Sequence, residues 1–326
     1  MIITRTPLRI SLGGGGTDLP GYYRANGGGF LVAAAITKYI YVAIHENFEP
    51  TILLKYSKIE RQSQVADVEH PLIREALHYT GVDRAVEVTS MADVPAGTGL
   101  GSSGTFAVGL LRALFAYQRQ YVPNARVAEI ACHLEIDRLN EPCGKQDQYI
   151  AAVGGLTAFE FNADDTVDAH SVQLPGLTRQ RIDENLLLFY TGLRRSASEE
   201  LRALDAGTAV PGSVMNANLD AVRDCGRRTL AALEAGDLDT FGTLLTDQWK
   251  LKFERARSPI HEQVDGWIDS GLAAGAAGGK LVGAGGGGFL LFYAEQKADL
   301  RAAMAEAGLA EVNFGIDYLG SAVIVQ

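Results

Sequence analysis

Apolar positions in residues 1–12 and 30–46 alternate or run together with β-branched and aromatic side chains, and both stretches are predicted strands. Residues 84–91 form a third, leading into a Pro-Ala-Gly-Thr-Gly loop. From Ser103 to about Gln120, Phe106, Leu110, Leu114 and Tyr117 recur at helical spacing. A second helix is predicted from Asn124 to Leu139, with Val127, Ile130, Ala131 and Leu134 on one face. Strand-like runs return at 156–161 and 186–191. The remainder is richer in helix, with long amphipathic stretches at 213–237 and 239–270. The run from Lys280 then enters a glycine loop and the strand Phe289–Tyr293, before a helix near 297–307 and a last strand at 320–325. Strands and helices mix without regular βαβ alternation, which predicts an α+β fold. A chain of 326 residues suits two packed domains, placed at 1–180 and 181–326.

Composition narrows the function. No stretch approaches twenty uninterrupted apolar residues, so no membrane span is expected, and the N-terminus lacks the basic start and apolar block of a secretion signal. The formal net charge of −10 argues against nucleic-acid binding, which needs dense Lys and Arg. It leaves room for one phosphorylated metabolite held by a local group of donors. Cys132, Cys143 and Cys225 are unevenly spaced and form no CxxC pair, which points to small buried side chains in a reducing cytoplasm.

Glycine is clustered at 13–16, 27–29, 97–104, 154–155 and 283–288, which implies several tight backbone loops. The run Pro95-Ala-Gly-Thr-Gly-Leu-Gly-Ser-Ser-Gly104 lies between a strand and a helix. Its glycines let backbone N–H groups turn inward, and the helix adds its positive end, giving a cradle for a polyphosphate. Ser102 and Ser103 place hydroxyls where one can meet phosphate or Mg²⁺; helix capping alone accounts for one of them. Gly99-x-Gly101-x-x-Gly104 also fits the dinucleotide fingerprint in form. However, it starts about eight residues past its strand, where that fingerprint wants a glycine at once. Gly278-Gly279-Lys280 is followed by Leu281, so the P-loop pattern fails, and the protein-kinase motifs are missing.

Three segments in order resemble the superfamily of galactokinase, homoserine kinase, mevalonate kinase and phosphomevalonate kinase. They are Arg5-Thr-Pro-Leu-Arg-Ile-Ser-Leu-Gly-Gly-Gly-Gly-Thr-Asp18, the Pro95–Gly104 loop with Gly104 in place of the usual Ala, and Gly283-Ala-Gly-Gly-Gly-Gly288. The resemblance implies a two-domain kinase with its site in the cleft between domains. It implies that Pro95, Gly97, Gly99, Leu100, Gly101, Ser102, Ser103 and Gly104 bind ATP, with Ser103 helping to hold Mg²⁺. Its second metal partner is a glutamate seven residues before a Pro-x-Gly turn. Glu135 has that spacing from Pro142, although at 100° per residue Asp137 lies at a similar angle to the apolar stripe. Gly144-Lys-Gln-Asp147 matches the turn bearing the catalytic aspartate, one residue later than in mevalonate kinase; a helix cap for 148–152 is the plainer role for Asp147. Arg9 takes the place of a basic residue facing that aspartate. Such a cation keeps the carboxylate ionised and offsets transition-state charge.

Substrate contacts are expected from Gly15, Gly16, Thr17, Asp18, Arg194, Arg195, Gly285 and Gly286, with Lys145 and Arg24 as further cations for a sugar phosphate. Gly144-Lys-Gln-Asp-Gln-Tyr149 and Tyr190-Thr-Gly-Leu-Arg-Arg-Ser-Ala197 look like the bacterial heptose 7-phosphate kinases. The expected partner is therefore a phosphorylated sugar, with no nucleic acid and no membrane; a homodimer is allowed by the sequence and not required by it. A fucokinase or another free-sugar 1-kinase is the alternative. A silent sugar sensor is a third reading, disfavoured by retention of Ser103, Glu135 and Asp147.

Overall fold

Ile2–Gly13 (β1) and Gly29–Glu46 (β2) pair antiparallel along most of their length and form the spine of the molecule. In the computed structural model every residue is described except 194–196, 209–211, 256–257 and 284–286, and the side chains of 197–199, 203 and 206. Thr6–Gly13 of β1 is buried on both faces. The helix Ser102–Tyr117 packs on this strand, as does Val214–Ala235. Along this stretch Leu8, Ile10 and Leu12 alternate with Arg9 and Ser11, so the double burial takes polar side chains inside along with the apolar ones.

Around this spine lie Ile52–Lys55 (β3), Ile59–Gln62 (β4), Val86–Ala92 (β5), Leu156–Phe161 (β6) and Val167–Ser171 (β7). β2 is long enough to split its pairing: Ile40–Glu46 pairs with β5, while Gly29–Ala34 pairs with β6. Leu186–Tyr190 (β8), Gly278–Leu281 (β9), Phe289–Tyr293 (β10) and Ala310–Glu311 (β11) make a second antiparallel sheet, ordered β11-β8-β10-β9. The last strand, Ala322–Val325 (β12), returns to the first sheet beside β1. The large core cluster beneath the first sheet extends to Leu233, Phe241 and Tyr293, so the two halves share apolar packing.

The mixed α+β class expected from the sequence is the class observed. One predicted element divides. The stretch 239–270 is two helices, Leu238–Arg255 and Pro259–Ala273. Pro259 cannot continue a helix but suits a first turn, and Ser258 caps the new start by accepting from the His261 N–H. The Asn124–Leu139 helix also changes character: it is α-helical to Cys132 and then widens into a π-helical turn, His133–Arg138.

Candidate active site

A cavity of about 840 Å³ is lined by residues from the turn after β1, the 97–103 loop, the 135–147 region, the end of Leu238–Arg255, and β9. That volume lies within the range of small-molecule sites.

The loop following β5 builds one wall. Gly97, Gly99 and Gly101 all have left-handed backbones, which turn the chain tightly into the helix beginning at Ser102. Gly97, Gly99, Gly101, Ser102 and Ser103 line the cavity. Leu100 is instead buried in the core, and its carbonyl accepts from the Arg9 N–H at 3.0 Å, tying the loop to β1. The helix is capped by Gly101 without a side chain, so neither serine is used as its cap. The third glycine segment meets this loop backbone to backbone. A Cβ on Gly283 would stand 2.6 Å from the Gly99 Cα, and one on Gly288 would stand 2.0 Å from the Thr98 carbonyl oxygen. Gly285 and Gly286 lie outside the described residues, as do Arg194 and Arg195.

Glu135 and Asp137, similar on an ideal helix, have different surroundings. Glu135 is buried, accepts the Ser103 hydroxyl at 2.5 Å and accepts Gln148 Nε2 at 2.6 Å. Asp137 is exposed and paired with His133 Nδ1 at 2.9 Å. The π-helical turn places them so, a widening often found at functional sites. Burial pushes the Glu135 carboxyl up to about 7, against the two hydrogen bonds that favour its anion.

Asp147 lies in the first turn of the helix Gln146–Val153 and is not its cap. Its Oδ1 accepts Arg9 Nε at 2.7 Å, while Arg9 Nη1 donates to the Gly99 carbonyl at 2.6 Å. Arg9 thus links the 144–147 turn to the loop. Gly104 explains itself here: a Cβ at that position would lie 2.7 Å from the Asp147 Cβ, so the alanine usual in the family would displace this aspartate.

Asp18 is buried and accepts from the Gly16 N–H, the Gln146 N–H and Gln146 Nε2, at 3.0–3.1 Å. Burial raises its pKa first, and nearby Asp147 adds to the rise. The turn at 144 must be glycine, because a Cβ there would sit 1.8 Å from Asp18 Oδ2. Gly15 and Gly16 line the cavity beside Asp18. Thr17 does not: its hydroxyl is buried, donating to the Gly14 and Phe30 carbonyls at 2.8 Å, which makes it a brace for the turn. Lys145 and Arg24 are also engaged elsewhere. Both meet Asp165, Arg24 at 2.8 Å and Lys145 at 3.6 Å, and neither lines the cavity.

Two parts of the cavity escaped the sequence reading. One is an apolar end holding Tyr56, His70, Met91 and Phe106, where the Tyr56 and His70 rings meet edge-on at 5.0 Å. The other is a cationic wall of Lys252, Arg255 and Lys280. Neither is carried by a contiguous motif. Only the basic residues continuing the inward face of Leu238–Arg255 offered a hint.

Two family models match the chain: the GHMP kinases N-terminal domain over residues 63–155 and the GHMP kinases C-terminal model over 229–309, together a little more than half of it. The D-glycero-alpha-D-manno-heptose 7-phosphate kinase of Campylobacter jejuni is 25% identical over 308 residues, covering 90% of this chain and 89% of its own. The galactokinase of Pyrococcus furiosus is 28% identical over 325 residues, covering 88% and 87%. Among solved structures, a D-glycero-D-manno-heptose 1-phosphate kinase from Bacteroides thetaiotaomicron superposes with a TM-score of 0.81 at 23% identity, covering 100% of this chain and 99% of that one. The shared fold, the matched N- and C-terminal models and the motifs lead to one conclusion: the chain belongs to the GHMP kinases, phosphotransferases that use ATP.

Proposed function

We propose that the protein is an ATP- and Mg²⁺-dependent sugar kinase that phosphorylates the anomeric hydroxyl of D-glycero-D-manno-heptose 7-phosphate. The product is then the 1,7-bisphosphate, a precursor for nucleotide-activated heptose and surface glycans. The observation that carries this reading is the Arg9–Asp147 pair, set between the glycine loop and Asp18 in one cavity. The heptose phosphate kinases among the relatives support the substrate class.

The groups present fit a metal carried in with the nucleotide. Mg²⁺ usually takes one or two carboxylates along with substrate phosphates, and Glu135 with the Ser103 hydroxyl is such a set. Among the described residues no cluster of three acidic, His or Cys side chains offers a resident metal site. Bound Mg·ATP supplies the γ-phosphoryl group and neutralises part of its charge.

This chain's residues do the rest. The backbone N–H groups of the 97–103 loop and the start of the helix at Ser102 hold the phosphates. Asp18 fixes a sugar hydroxyl within a carboxylate already anchored by three donors. Arg9 holds Asp147 through Oδ1, leaving Oδ2 for the anomeric hydroxyl. Asp147 takes that proton as the sugar oxygen bonds to the γ-phosphorus and the bond to the ADP oxygen breaks. Tyr56, His70 and Phe106 form an apolar slot suited to the base. The halves 1–180 and 181–326 are proposed as the two domains meeting at this cleft.

A fucokinase or another free-sugar 1-kinase is the second reading, favoured by the galactokinase likeness. The deciding experiment is a coupled ADP-release screen across free and phosphorylated hexoses and heptoses, with phosphorus NMR of the product. We expect ADP release with the heptose 7-phosphate and a new anomeric phosphate. A phosphate on a primary hydroxyl, or turnover of free sugars alone, overturns the proposal.

A further inference from the structure

The helix Leu238–Arg255 buries Phe241, Leu244, Leu245, Gln248 and Trp249, a stripe at the three-four spacing of an inward face. Carried forward, that spacing reaches Lys252 and Arg255, and both line the cavity. The helix dipole accounts for cations in a last turn but not for their facing inward. Lys280, on β9, is buried and lines the same wall. Lys252 and Arg255 are half-buried, and inward-facing charges of this kind are the informative exception, because charges are rarely taken inside without a counterpart.

The local partners leave much of that charge uncompensated. Lys252 Nζ donates to the Gly283 carbonyl, and Lys280 Nζ donates to Gln248 Oε1 at 3.1 Å. Both acceptors are neutral. Gln248 is pinned in turn by donating to the Leu12 and Leu244 carbonyls, so Lys280 has a fixed anchor. Arg255 donates to Asn218 Oδ1 at 3.2 Å. Glu200 favours the charged forms of Lys252 and Arg255. Against it stand three cations, with Arg9 near enough to act on Lys252 and Lys280. Burial, and then this crowding, pushes Lys252 down to about 7; burial lowers Lys280 to about 8. A doubly charged anion arriving here relieves all three at once.

We infer that Lys252, Arg255 and Lys280 form the subsite for the phosphate monoester already carried by the sugar. The inference rests on the phosphosugar reading above and names the residues that recognise that substrate. The cations stand in the second half of the chain, whereas the nucleotide phosphates are assigned to the 97–103 loop. Lys145 and Arg24 are occupied with Asp165 and Arg9 with Asp147, which leaves this wall as the described cationic group facing the cavity without a carboxylate hydrogen-bonded to it. Arginine grips phosphate oxygens in pairs, and a lysine serves as a mobile point charge beside it.

The test compares kcat/KM for heptose 7-phosphate and free heptose in wild type, Lys252→Met, Arg255→Met and Lys252→Arg. Calorimetric binding of heptose 7-phosphate without nucleotide, and melting temperatures, are measured alongside. We expect each Met variant to cut the preference for the phosphorylated sugar at least about tenfold, the loss typical of one charged hydrogen bond. The KM for ATP should move less than the KM for the sugar phosphate, and Lys252→Arg should restore part of the preference. A wild-type preference untouched by both Met variants overturns the subsite and leaves the phosphosugar kinase standing. A larger effect on the KM for ATP also overturns it, by giving the wall to the nucleotide. Equal efficiency of wild type on both sugars, with no binding of the phosphosugar, overturns the subsite and the substrate reading together.

Discussion

The two walls of the cavity solve opposite electrostatic problems. On the first-half wall each acidic group already has its donors: Arg9 on Asp147, Ser103 and Gln148 on Glu135, and Gly16 with Gln146 on Asp18. On the second-half wall Lys252, Arg255 and Lys280 are crowded together and their pKa values are depressed. The first wall is organised before any ligand arrives, as a catalytic surface must be to act without reorganising. The second is under charge strain that a ligand removes. Changes to the first wall should therefore fall on kcat, and changes to the second on substrate affinity and choice.

The sharpest way to break that contrast is Asp147→Asn. We expect kcat to fall at least about a hundredfold, the lower range for losing a general base, while nucleotide binding measured by fluorescence titration persists. A near-normal kcat would move the base role to Asp18. Gly104→Ala comes next. The added methyl must displace Asp147, the partner of Arg9, and crowds Gln148, which donates to Glu135; a shift of that size costs kcat about ten- to a hundredfold. If kcat is unchanged while the KM for ATP rises, the glycine serves the loop and not the aspartate. Glu135→Gln should raise the Mg²⁺ needed for half-maximal rate about tenfold, and Asp137→Asn should leave it near wild type. The reverse result would give the metal to the exposed acid.

The same contrast explains what the sequence disclosed. The first wall is written in contiguous segments: Arg9 to Asp18, Gly97 to Ser103 and Gly144 to Asp147 each bend the chain locally, and glycine marks such bends. The second wall is assembled by folding from a helix end and a strand that are far apart in sequence, from residue types common on any surface. In the sequence Lys280 stands in a failed P-loop pattern and at the start of the run into the glycine loop, and neither marks it as a site residue. Glu135 and Asp137 could not be separated, because the assumed α-helical period does not hold through a π-helical turn. Thr17 belonged to the right motif but faces into the turn, since its hydroxyl satisfies the backbone at Gly14 and Phe30. The short strands β3 and β4 went unread, as four-residue strands carry little periodicity; the helix Pro71–Thr80 also went unread, although its proline start and its buried stripe of Leu72, Ile73, Ala76 and Leu77 are legible.

The pH response refines the comparison further. Lys252 carries its charge below about pH 7 in the ligand-free protein and loses it as pH rises through that value. A bound phosphate holds the proton on, so its affinity weakens as pH climbs. Glu200 favours the proton, while Arg255, Lys280 and Arg9 oppose it. For the free protein the sign is opposite: a depressed amine destabilises the fold at low pH, and that penalty fades between about pH 7 and 10.5. The rise in melting temperature given by heptose 7-phosphate should therefore shrink several-fold between about pH 7 and 9. Lys252→Arg should flatten this dependence, because guanidinium keeps its proton throughout. A slope identical in Lys252→Arg and wild type would place the titrating group elsewhere.

The smallest effect expected is that of Arg24→Ala, and its smallness is what makes it useful. Arg24 is half exposed and holds Asp165 through both Nε and Nη2, at 2.8 and 3.0 Å. Tyr23 and Lys145 meet the same aspartate, the lysine through its carbonyl at 2.7 Å. The cluster therefore braces the turn before Asp147 from outside the cavity, and the exposed pair contributes about 0–1 kcal/mol of stability. Removing Arg24 leaves Tyr23 and Lys145 on Asp165, so the turn keeps two of its three ties. We expect less than about a twofold change in kcat/KM for heptose 7-phosphate and no change in the preference over free heptose. A tenfold loss of that preference would make Arg24 a phosphate ligand after all, and the cationic group that recognises the substrate would then lie at the 144–147 turn, not on the wall made by Lys252, Arg255 and Lys280.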